Sequence, residues 1–120
     1  MTPSHKAELQ RNVRCNLVRT LEDWSDQERQ VRYKQSVPFV HVPRELLAQW
    51  DQYSRLMKVR QAWFIESLTD GELAAMATFD TEVAAFDFEV HLPDVPEVFD
   101  LPQWRQLMDK GRELLSVLKP

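Results

Sequence analysis

Apolar residues recur along most of this chain at the three-four spacing of amphipathic helices. Leu9, Val13, Leu17, Leu21 and Trp24 share one face of a helix that begins near Ser4. Ser25 and Glu28 have the spacing of a capping box, which predicts a second, short helix from Asp26 to about Gln35. The segment SVPFVHVP interrupts the period. Pro38 and Pro43 restrict the residues before them to extended geometry, so this stretch reads as a linker or a short edge strand. Pro43 suits the first turn of a third helix, where its missing N–H is not needed. That helix carries Leu46, Leu47, Trp50, Tyr53, Met57, Phe64 and Leu68, with a break expected near Lys58.

The stretch after Leu68 supports two readings. TDGE is either a capping box, Thr69 with Glu72, or an Asp70-Gly71 hairpin turn between strands. The residues that follow favour helix. Met76, Phe79, Val83, Phe86 and Val90 are spaced by threes and fours, and Ala74, Ala75, Ala77, Ala84 and Ala85 suit a helix better than a strand. A second seam, Leu101, Trp104, Met108, Gly111, Leu115 and Leu118, follows Asp100 as its expected cap. Gly111 in that seam would admit a close neighbour. Two apolar seams joined by the proline-bearing loop HLPDVPEVFD predict an antiparallel helical hairpin. The fold expected is therefore all-α: a small bundle of four to five helices with a C-terminal helical hairpin, in a single domain spanning 1–120. The alternative is an α+β fold with a small antiparallel meander at 60–92, in which Asp87, Glu89 and His91 would line one side of a strand.

Charge adds a second pattern. Residues 1–60 hold 11 Lys/Arg against 7 Asp/Glu, whereas residues 61–120 hold 4 against 12. Between Arg60 and Arg105 every charged residue is acidic apart from His91. Blocks of one sign bear on partners and association rather than on fold. On the helical reading Glu82 and Glu89 project away from the apolar stripe, with Asp87 beside them and Asp94 and Glu97 in the loop beyond. These five residues are the candidate partner-binding patch, directed at a basic protein partner. An inhibitor, an immunity protein against a nuclease-like toxin, or a charge mimic of nucleic acid would use such a surface. Complementary halves facing one another, within one chain or across a homodimer, account for the same split. A nucleic-acid-associated regulator using the basic first half, with Arg29, Arg32 and Lys34 around Tyr33, is the runner-up. The segment 67–86 outlines a helix-turn-helix, but its second helix would bring acids toward phosphates, which argues against DNA.

The chemistry of catalysis is sparse. With 2 Gly in 120 residues, phosphate-cradling and dinucleotide loops have no sequence to form from, and no nucleophile-elbow or metalloprotease motif occurs. The single cysteine, Cys15, lies near Arg11, Arg14 and Arg19 and has no histidine placed to activate it. His5 and His41 have no spacing relation to Asp87 and His91, so no metal, cofactor or catalytic residue is expected. The tryptophans fall on or beside the apolar stripes and read as core. The charged N-terminal stretch and the lack of a long apolar run predict a cytoplasmic protein without a membrane association. If Asp87 and His91 are solvated rather than ligands, added zinc should leave the melting temperature of both the wild type and His91→Ala unchanged. A rise confined to the wild type would establish a site.

Overall fold

The computed structural model describes residues 2–86 and 91–118. Among them are six α-helices: α1 (Pro3–Ser25), α2 (Gln27–Ser36), α3 (Val42–Lys58), the single turn α4 (Ala62–Ile65), α5 (Asp70–Ala85) and α6 (Pro102–Leu118). A 3-10 turn, Glu97–Asp100, leads into α6. No strand occurs among the described residues, so the bundle and its α5–α6 hairpin stand, and the meander does not. α6 lies against both α1 and α5, while α3 closes the far side over α1, α2 and α4.

Most of the starts and stops have a local cause. TDGE is a complete capping box: Glu72 N–H donates to Thr69 Oγ1 at 3.1 Å, and Thr69 N–H donates to Glu72 Oε1 at 2.9 Å. That choice removes the hairpin turn, because Asp70 and Gly71 become the first helical residues of α5. At the α1–α2 corner the expected Ser25 cap is replaced by Asp26, whose Oδ1 accepts from Glu28 and Arg29 N–H. A carboxylate serves better there, since it also answers the positive end of the helix. Ser25 instead ends α1 and donates to Glu22 O at 3.3 Å. Asp100 does not cap α6. It belongs to the 3-10 turn, and α6 opens at Pro102, with Arg105 N–H reaching Leu101 O.

α3 does break at Lys58, and it does so without glycine. Arg60 takes the left-handed conformation, φ 53°, while its N–H donates to Met57 O and the Gln61 N–H donates to Leu56 O. This is the reverse-turn closure that glycine ordinarily completes. α5 stops sooner than its apolar spacing suggested. Phe86 is extended, ψ 118°, and turns its ring onto Trp104 at 6.0 Å. No basic residue sits in the last turn of α5 to favour its continuation. Asp87, Phe88, Glu89 and Val90 lie outside the described residues.

The core is aromatic and is shared by four helices. Trp24 of α1 meets Trp104 of α6 at 5.1 Å and Phe79 of α5 edge-on at 5.5 Å, and Phe79 meets Trp50 of α3 at 4.7 Å. All four rings are at most 1% exposed. Gln30, fully buried, ties this cluster to the chain: its Nε2 donates to Asp23 O and Trp24 O, and its Oε1 accepts from Trp104 Nε1. The carbonyls that α1 leaves open at its end are thus satisfied from α2. Arg112 of α6 completes the set by donating to Ser25 O at 2.6 Å.

Gly111 sits where α6 crosses α1. A Cβ built there would lie 3.4 Å from Trp24 Cβ and 3.7 Å from the Phe79 ring, which is ordinary contact with side chains. Gly111→Ala should therefore stabilise by up to about 1 kcal/mol through helix propensity, whereas Gly111→Leu should destabilise by overpacking. Chemical denaturation of the two variants checks both signs.

Candidate functional site

Part of the acidic block is occupied with holding the protein together. Four of its carboxylates pair with cations from the first half of the chain: Glu66 with Lys6, Glu72 with Arg14, Asp80 with Lys58, and Asp94 with Lys34. The charge split of the sequence is thus in part neutralised within one molecule. Glu82 and Glu97 are exposed, as a patch requires. Asp94 is only half-exposed and is built into the fold, and Asp87 and Glu89 lie outside the described residues. His91 is exposed in a turn after α5 has ended, while Asp87, its candidate co-ligand, lies outside the described residues. Among the described residues no three His, Cys, Asp or Glu gather as a metal site would require.

One of these ion pairs is half-buried, with Glu72 inside and Arg14 partly open to water. Arg14 Nη1 donates to Glu72 Oε1 at 3.0 Å and Nη2 donates to Oε2, a two-pronged contact that matches fork to fork. The same guanidinium donates to Ser67 O at 3.3 Å and Leu118 O at 3.2 Å. One side chain of α1 therefore fixes the turn before α5, the start of α5 and the end of α6. The Arg14 hydrogen bonds hold the Glu72 carboxyl below its ordinary value, against the opposing effect of burial.

The most distinctive surface is on the opposite side, around the linker that sequence reasoning treated only as a break. Lys34, in the last turn of α2, donates to Pro38 O at 2.6 Å and Val40 O at 2.9 Å and pairs with Asp94 at 2.6 Å. Asp94 in turn accepts from the Val42 and Val95 N–H groups. Burial pushes the Asp94 carboxyl up, but Lys34, the two amides and nearby His41 together hold it below its ordinary value. His41 caps α3: its Nδ1 accepts from Arg44 N–H, so its Nε2 carries the proton and donates to Leu92 O at 2.9 Å. The α2–α3 turn is therefore tied to α2 behind it and to the loop before α6 beneath it.

On this fixed turn the Phe39 ring stands 87% exposed, the most open large apolar side chain of the described residues. Val37 and Val40, on either side of it, line an open groove of about 600 Å³ between α2 and α3. Arg29, Arg32, Tyr33 and Ser36 form its α2 wall, at positions that share one helical face, and Glu45 stands across from them on α3. Asp23 closes one end and is paired with Arg29 at 2.9 Å. Burial, with help from Glu45 and Asp23, raises the Tyr33 phenol. The groove offers a phenol, two valines and both signs of charge; its lining residues assemble no nucleophile with a base.

Comparison with known proteins does not add to this geometry: no family model matches the chain, and neither a curated protein nor a solved structure matches it significantly. No helix among the described residues is long and apolar enough to cross a membrane.

The Arg14–Glu72 pair can be tested by pH. Because Glu72 is held below its unfolded value near 4.5, its contribution is complete above that pH and is lost as the pH falls through the lower folded value. Glu72→Gln should cost about 2–3 kcal/mol at neutral pH. This is less than the 3–5 of a fully buried pair, because Arg14 keeps 35% of its side chain in water. The gap in melting temperature between wild type and variant should narrow steadily as the pH is lowered below about 4.5. A gap independent of pH would remove the ion pair from the account.

Proposed function

We propose that the protein is a non-enzymatic protein-binding domain whose contact surface is the α2–α3 face around Phe39. The observation that carries this reading is a large aromatic side chain held in water on a turn pinned by Lys34, Asp94 and His41. Exposing a phenylalanine forgoes the stabilisation of burying it, roughly 1.5–3 kcal/mol. A pinned turn also loses little freedom on docking, which lowers the cost of association. Phe, Tyr and Arg are the side chains enriched where binding energy concentrates; Tyr33 and Arg32 line the groove, and Phe39 stands exposed on the turn whose Val37 and Val40 line it too.

A second reading keeps the acidic patch as the surface for a basic partner, in the manner of an inhibitor or immunity protein. Its support is the exposure of Glu82 on α5 and Glu97 before α6, neither of them in an ion pair among the described residues. It is the weaker reading because four neighbouring carboxylates already have cations. The nucleic-acid reading weakens for the same reason: Lys6, Arg14, Lys34 and Lys58 are engaged by those carboxylates, and Arg29 and Arg55 pair with Asp23 and Asp51.

The readings separate by mutation. A photocrosslinker placed at position 39 in the native cell should capture a protein, and Phe39→Asp should weaken that complex about 30-fold or more, as loss of a 2 kcal/mol anchor does. Melting should shift little, since exposed substitutions change stability by about 0.5 kcal/mol or less. Glu82→Lys with Glu97→Lys should leave affinity nearly unchanged. The opposite pattern, binding lost with the lysines and kept with Phe39→Asp, would transfer the function to the acidic patch.

A further inference from the structure

We infer that the partner docked on the Phe39 face is a second copy of this chain, related by a twofold axis. The inference rests on the protein-binding reading and names its occupant. Two features of the face point there. The first is that knob and hole are neighbours: Phe39 stands exposed in the same short turn as Val37 and Val40, and both of those residues line the groove. A twofold contact requires one patch to be complementary to itself, so that residue i meets j while j meets i. With the axis beside the turn, each Phe39 enters the groove of the other copy.

The second feature is charge. Once Asp23 and Arg29 have paired, Arg32 on the α2 wall and Glu45 on the α3 wall remain, and neither is in an ion pair among the described residues. They are opposite in sign and stand on opposite walls. Rotation by a twofold axis brings Arg32 of each copy toward Glu45 of the other, forming two equivalent pairs. A groove of one sign would have called for a partner of the other sign and would have repelled its own copy. This face is locally balanced although the chain as a whole carries −4, so self-association meets little opposing charge where the surfaces touch.

The test uses the full chain and charge-reversal variants in sedimentation equilibrium. The wild type should dimerise reversibly, and Phe39→Asp should weaken the dimer about 30-fold or more, with the melting temperature unchanged at dilutions where both proteins are monomeric. Arg32→Glu alone gives a groove with two acids, and Glu45→Arg alone gives one with two cations. Each should therefore be monomeric by itself. Mixed in equal amounts, they should form a heterodimer, because the Arg32→Glu chain then meets the Glu45→Arg chain with both pairs restored. Recovery on mixing also shows that neither variant was merely misfolded. A wild type that stays monomeric over the micromolar to millimolar range overturns the inference, and so does a dimer indifferent to Phe39 and to both reversals. If the wild type is monomeric while position 39 crosslinks to a different protein, the twofold contact falls and the protein-binding reading survives. If position 39 crosslinks to nothing, both fall.

Discussion

The contact between Arg14 and Glu72 is the constraint around which the rest of the bundle is arranged. Glu72 could not be buried without Arg14, because an unpaired carboxylate in that position would lose more hydration than local packing returns. Once paired, they bring the middle of α1 to the first turn of α5. The remaining donors of the guanidinium then reach Ser67 O and Leu118 O. Glu72 is also half of the capping box, so the residue that begins α5 is the one that positions it. Helix initiation and tertiary packing are in this way the same event.

The four ion pairs that join the halves of the chain differ in what they contribute. Lys6–Glu66 is about half exposed on both sides and adds little to stability. Asp80 is held in place by the Trp50 indole, which donates to it at 2.9 Å, so Lys58 at 3.6 Å joins a carboxylate already in position. Lys34–Asp94 acts through the backbone groups that surround it, because it fixes two loops at once. The charge asymmetry of the sequence is in part a record of which segments lie side by side.

The helices and their inward faces were legible because burial repeats with the period of the helix. Leu17, Leu21, Trp24, Met76, Phe79 and Trp104 are all essentially inaccessible, as their spacing requires. Ends were harder to read. The Thr69–Glu72 box was readable because both partners lie in one short stretch, and Asp26 was missed because Ser25 offered a competing pattern one residue earlier. α5 stops where Phe86 finds Trp104, a contact between residues far apart in sequence that no local signal contains. The candidate site was the least legible part. Asp94 looked like one acid among several, and only the folded chain places Lys34 and two amides around it. Phe39 looked like an ordinary apolar residue in a linker. The prolines near it did signal a constrained turn, but which side of that turn would face water depends on Lys34 and His41.

The indoles of Trp24 and Trp104, 5.1 Å apart and tilted by 31°, are close enough for their electronic transitions to couple. Coupled chromophores in a fixed chiral arrangement produce a pair of circular-dichroism bands of opposite sign, superimposed on the far-ultraviolet signal of the helices. The apparent helix content of this protein in solution therefore carries a contribution from its core. That contribution depends on the mutual orientation of two rings rather than on backbone hydrogen bonds, so it vanishes when packing loosens even if the helices persist. The Trp24 Nε1 hydrogen has no partner in the buried cluster, which places this indole in surroundings with little polarity to relax around its excited state. Its emission belongs at the blue end of the tryptophan range, and part of the optical signal of the chain reports the meeting of α1 with α6.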